Sequence, residues 1–155
     1  MQSFHDNFKE EFNMLYELSD GSFNKRGWSL GVFLARANQF DQHLTMHHTI
    51  EETYLFPILG KRMKQFSETE GLHLESHKGI HDGPTDHHLS GLEQLAALVK
   101  NYKSEPSTYD PSKMRACLDS FREVLFSHLD QEVEDLRGDN LKKFFSLEEV
   151  ESFPI

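Results

Sequence analysis

Two His-x-x-x-Glu pairs, His47 with Glu51 and His128 with Glu132, carry the clearest chemistry in this 155-residue chain. A spacing of four puts both side chains on one helix face, a turn apart. Imidazole nitrogen beside carboxylate oxygen suits iron, manganese or zinc. An isolated pair of this kind is usually a solvated surface pair, but each pair here extends an apolar row. Phe33, Ala37, Phe40 and Leu44 lead to His47 and Glu51; Met114, Leu118, Phe121 and Leu125 lead to His128 and Glu132. An ionised carboxylate in such a row is costly unless paired or metal-bound. The overlapping pair, His48 with Glu52, continues Leu34, Asn38, Asp41 and Thr45, a mostly polar row, and is expected on a flank.

Further imidazoles join these. The chain has ten histidines, nine of them between His43 and His128. His77 and His81 are neighbours on one helix face, with His73 a turn earlier; His5 lies in line with Phe8 and Phe12. The expected donor set is His5, His47, Glu51, His77, His81, His128 and Glu132. Two octahedral cations need twelve bonds. These five imidazoles, two bridging carboxylates and one oxo or hydroxo bridge supply eleven, which leaves one position for a small ligand such as dioxygen.

Rods must hold these groups, and helical periodicity dominates the chain. The spacing predicts a first helix over 4–18, broken by Ser19-Asp20-Gly21-Ser22, and a second over 29–65 capped by Ser29 and bent at Pro57. A third spans 70–103, kinked or split at Asp82-Gly83-Pro84. A fourth runs from Pro111, capped by Asp110, to about Arg137, with Gly138 as its stop. A short C-terminal helix starts at Leu147, because Ser146 and Glu149 have capping-box spacing. The expected fold is all-α, an up-down-up-down four-helix bundle in a single domain spanning 1–155. In that topology all seven donors fall in roughly one layer.

The bulk composition narrows the partners. A formal charge of −10 makes nucleic acid a poor partner, since binding there rests on neutralising phosphates. No run of 18 apolar residues predicts a membrane span, and the first residues show no secretory pattern. The single Cys117 fits a reducing, cytoplasmic setting and reads as a buried, inert thiol.

The segment His47-His48-Thr49-Ile50-Glu51-Glu52-Thr53-Tyr54-Leu55-Phe56-Pro57 resembles the second-helix signature of hemerythrin-like, or HHE cation-binding, domains. His77-Lys78-Gly79-Ile80-His81 is similar to their third-helix motif, and His128 to Glu132 to their fourth. His5-Asp6 stands where the group has its first-helix ligand, and Phe144 to Glu149 resembles some members' endings. The resemblance implies that His77, His81 and His128 bind one iron and that His5 and His47 bind the other. Glu51 and Glu132 would bridge them, with dioxygen at the less saturated iron. Oxygen-carrying hemerythrins place Asp five residues after the last histidine, where this chain has Val133; HHE-type relatives commonly use Glu at the position of Glu132. Pro84 to Gly91 looks like an insertion in the third helix, so His73 and His88 stay open as replacements for His81.

The cofactor expected is two iron ions, with zinc or manganese acceptable to much of the same donor set. The leading function is binding or sensing of dioxygen or a related diatomic or peroxide ligand, or iron handling. The alternative is a diiron enzyme, peroxidase-like, catalase-like or nitric-oxide-reducing, with Tyr54 or Tyr16 as a nearby acid. The oxidase pattern, a Glu from each of two helices plus two Glu-x-x-His pairs, is absent. A metal-free helical interaction module is the remaining reading.

Overall fold

The computed structural model describes residues 2–81 and 90–153. Among them the chain is helical, with no strand. Helix α1 spans Gln2–Leu18. Gly21 and Gly27 then take φ of 96° and 76°, a conformation that suits glycine, and turn the chain into α2, Leu30–Ile50. Ser29 caps α2 as expected, its Oγ accepting from the Val32 backbone N–H at 3.3 Å.

Beyond Ile50 the helix does not continue to residue 65. Glu51–Leu55 forms a π turn, in which the Phe56 N–H donates to the Glu51 carbonyl. Helix α3, Phe56–Leu59, follows with Pro57 in its first turn. Proline cannot donate to the turn behind it, and the wider turn just before it absorbs that loss. The expected third helix is two pieces, α4 (Leu72–His81) and α5 (Gly91–Ser104). The breaker Asp82-Gly83-Pro84 and most of the inferred insertion lie outside the described residues. Ser90 and Glu93 make a capping box that starts α5.

Helix α6, Pro111–Asp135, starts on Asp110, whose Oδ1 accepts from the Ser112 and Lys113 N–H groups. It ends at Leu136, before the expected Gly138, which instead opens a short α7, Gly138–Leu141. Helix α8, Leu147–Glu151, has the expected Ser146–Glu149 capping box.

Helices α1 and α5 each pack on both α2 and α6, and α4 packs on α6 and α5. This helical bundle closes around one apolar cluster, where Phe12 meets Phe40, Phe121 and Phe126. Cys117 is buried there as expected, and burial pushes its thiol up to about 12. A second cluster joins Leu55, Phe56, Leu59, Met63 and Phe66 to Leu141, Phe145 and Phe153 of the tail. Phe8 of the first cluster packs against His47, and Phe56 of the second against His77. Among the described residues, no helix is long and apolar enough to cross a membrane.

Candidate metal centre

The expected rows deliver their donors to the interior. His5, Glu51, His77, His128 and Glu132 are all buried, while the His47 side chain keeps 15 % exposure. They form two groups whose donor atoms lie within 4.8 Å of one another. One group is His5, His47, Glu51 and Glu132; the other is His48, Glu51, His77 and His128.

Glu51 belongs to both groups, and its two oxygens face different ones. Oε1 is 2.9 Å from His47 Nε2 and 3.8 Å from His5 Nε2; Oε2 is 3.5 Å from His77 Nε2. Glu132 is placed differently: it belongs to the first group only, and a single oxygen, Oε2, lies 3.6 Å from both His5 Nε2 and His128 Nε2.

The backs of the rings fix their fronts. His5 Nδ1 donates to the Leu129 carbonyl at 3.0 Å, and His77 Nδ1 donates to Glu52 Oε1 at 2.7 Å. A carbonyl and a carboxylate only accept, so each ring carries a proton on Nδ1 and turns Nε2 to the site. Those nitrogens face other imidazoles: His5 Nε2 is 3.0 Å from His47 Nε2, and His77 Nε2 is 3.0 Å from His128 Nε2.

Several buried atoms have no protein hydrogen-bond partner: both oxygens of Glu51 and of Glu132, His48 Nε2 and His128 Nδ1. His47 approaches Glu51 to 2.9 Å without a well-directed hydrogen bond, and a hydrogen bond weakens steeply off axis. Each unsatisfied buried group costs about 1–3 kcal/mol. A cation in each group would meet the carboxylate oxygens and the facing nitrogens together, so the donor chemistry fits the metal that the motifs imply.

Electrostatics agree. Burial pushes the Glu51 carboxyl up, but its contacts with His47 and His5 outweigh that and hold it at about 2. Burial, then Glu51 and Asp135, raise Glu132 well above the usual carboxylate range. Two buried carboxylates this close cannot both be charged without a counterion. Burial, then His77 and His73, lowers His128 to about 2, and burial lowers His48 well below its ordinary value. Neutral imidazole is the form that binds metal.

Several side chains stand elsewhere than expected. His48 is not on a flank: it is 2 % exposed, and Nε2 faces the site. The buried row running from α2 through the π turn into α3 is Leu44, His48, Glu51, Leu55, Leu59, stepping four, three, four, four. His47 reaches the site from the row's edge.

His81 joins neither group. Its Nε2 lies 2.6 Å from His48 Nδ1, behind the ring that does. In the group of His77 and His128 the third imidazole comes from α2, as His48.

Of the suggested replacements, His73 is buried and bonds Asp135 Oδ2 at 2.9 Å through Nε2. It too stands outside both groups, and His88 lies outside the described residues.

Tyr54, expected on the inner stripe, is 57 % exposed, because Leu55 takes the inward position. Tyr16 bonds Asp119 at 3.3 Å, three helical turns along α1 from His5 and roughly 16 Å away by helix rise.

The family model for the hemerythrin HHE cation-binding domain matches residues 1–137. The chain belongs to the hemerythrin HHE cation-binding domain family. That match takes in every member of both donor groups, and cation binding is the property the family's name states. No curated protein and no solved structure gives a match. In this HHE domain the tail from Gly138 onward lies beyond the matched span.

His48 is the candidate donor that the spacing did not point to. From Leu44, steps of three or four are equally helical. The apolar pair Leu55 and Leu59, against Tyr54 and Ile58, was the signal that chose between them.

Proposed function

We propose that this HHE domain holds two iron ions in a shared, carboxylate-bridged centre and binds dioxygen or a related small ligand there. The observation that carries the reading is Glu51, with one oxygen toward His5 and His47 and the other toward His77. On this reading His48, His77 and His128 hold one ion and His5 and His47 the other, with Glu51 and Glu132 between them. The second ion then has one fewer protein donor. The small ligand belongs on that side, where His47 is also the partly exposed donor. The same reading takes the long rods as an up-down-up-down four-helix bundle, with the donor-bearing ends at one level.

The ions would supply reversible small-molecule binding and electron transfer. The chain's own residues orient and shield. Leu129 O, Glu52 and His81 hold the rings of His5, His77 and His48 by their Nδ1 atoms. Phe8, 5.1 Å from the His47 ring, and Phe56, 5.1 Å from the His77 ring, keep water from the flanks.

Zinc and manganese suit the same donors, so the test is elemental analysis with optical spectra. The account expects two irons per chain and near-ultraviolet and visible charge-transfer bands that change when oxygen is admitted. No copurifying iron, and no oxygen-dependent band after loading, would overturn it. Turnover of peroxide or nitric oxide needs a proton donor at the open side, and Tyr16 lies too far along α1 to be one, roughly 16 Å from His5 by helix rise.

A further inference from the structure

We propose that the C-terminal segment, residues 138–153, positions one of the two cation groups and not the other, and so sets how long the His48, His77 and His128 group keeps its metal. The proposal rests on the two-cation reading above.

The segment lies outside the span matched to the family, yet its apolar side chains are built into the structure next to the centre. Leu141, Phe145 and Phe153 share one buried cluster with Leu55, Phe56, Leu59, Met63 and Phe66. The Phe145 and Phe153 rings meet edge to face at 5.2 Å. Two rings of this cluster face histidines on their other side. Phe56 stacks on His77, centroids 5.1 Å apart at 28°, and Phe66 stacks on His73 at 4.3 Å and 21°. His73 in turn lies edge-on to His128 at 5.6 Å. The tail therefore backs two of the three imidazoles of one group through one or two intervening rings.

Arg62 latches the segment down. Its guanidinium makes two bonds to the Glu149 carboxylate, at 2.8 and 3.1 Å, and donates to the Phe144 carbonyl at 2.6 Å. It also lies 4.8 Å over the Phe145 ring. The pair is half exposed, so most of the docking strength comes from the buried Phe145 and Phe153, with Arg62 fixing direction.

The other group has different neighbours. The His47 ring packs against Phe4 and Phe8 of α1, and His5 leans on the Leu129 carbonyl. No residue of the tail cluster is among these. Loosening the tail should free the rings behind His77 and His128 while leaving His5 and His47 as they are.

The test is iron(II) release from the loaded full-length chain to a coloured chelator in excess. The wild type should give up two equivalents. In Phe145→Ala one equivalent should leave about tenfold faster, the size expected when support behind a metal-binding imidazole is lost. The other should stay within about twofold of wild type. Phe145→Leu, which keeps an apolar filler, should recover most of the wild-type rate. Should Phe145→Ala fail to fold, Arg62→Ala on the surface is expected to show the same one-sided effect at about threefold. Equal acceleration of both equivalents, or none, in a folded variant overturns the proposal alone. Fewer than two equivalents in the wild type overturns the two-cation reading and the proposal with it.

Discussion

At the residue scale, the donors differ in how many cations depend on them, and mutants should sort by that difference. Glu51 belongs to both groups, so Glu51→Gln should reduce bound metal from two equivalents to one or fewer. His48 serves one group only, and His48→Ala should weaken a single equivalent by about 10–100-fold, with the second held near its wild-type affinity. His81 stands behind His48, so His81→Ala should weaken the same equivalent by less. Calorimetric titration of the metal-free protein with zinc measures all three. If His81→Ala costs more than His48→Ala, the two have been placed in the wrong order. Most donors were legible in the sequence, because a charged residue in an apolar row has few uses. Positions 47 and 48 were less legible, because adjacent residues both fall within a wide buried face and only the neighbours downstream tell them apart.

At the element scale, capping chemistry located helix starts closely, as at Ser29, Asp110 and Ser146. Helix ends were harder to read. The long second helix was expected to bend at Pro57, but the change of pitch starts at Glu51, where the site is. No local residue type encodes a π turn. Gly138 reads as a stop and is a start, the first of the four residues of α7. Gly91 shows a glycine required by packing. A Cβ there would lie 2.2 Å from the Phe121 ring, with Phe121 itself fixed in the buried core. Gly91→Ala should therefore destabilise the fold by about 1–3 kcal/mol as α5 is pushed off α6. Urea unfolding monitored by circular dichroism should show a lower midpoint with an unchanged slope; an unchanged midpoint would mean the helices can part at no cost.

At the scale of the whole molecule, the buried imidazoles link stability to acidity. Burial lowers His48, His73 and His128 in the folded chain, while the unfolded chain binds protons near the ordinary value of 6.5. A depressed histidine contributes stability that is present above 6.5 and is lost as pH falls towards the folded value. Glu132 is raised and acts oppositely: its contribution is present below 4.5 and is lost as pH rises. Three groups against one make the metal-free protein less stable at pH 5 than at pH 7, and its thermal midpoint should fall across that interval. A midpoint that rises on acidification would mean these histidines are charged in the folded chain. Two cations that share Glu51 and Glu132 must lie close together, and X-ray absorption fine structure on the iron-loaded protein reads that distance. Metal–metal scattering at under about 4 Å is expected, with nitrogen and oxygen neighbours, at two irons per chain. One iron per chain, or two with no metal–metal scattering, would rule out a shared centre.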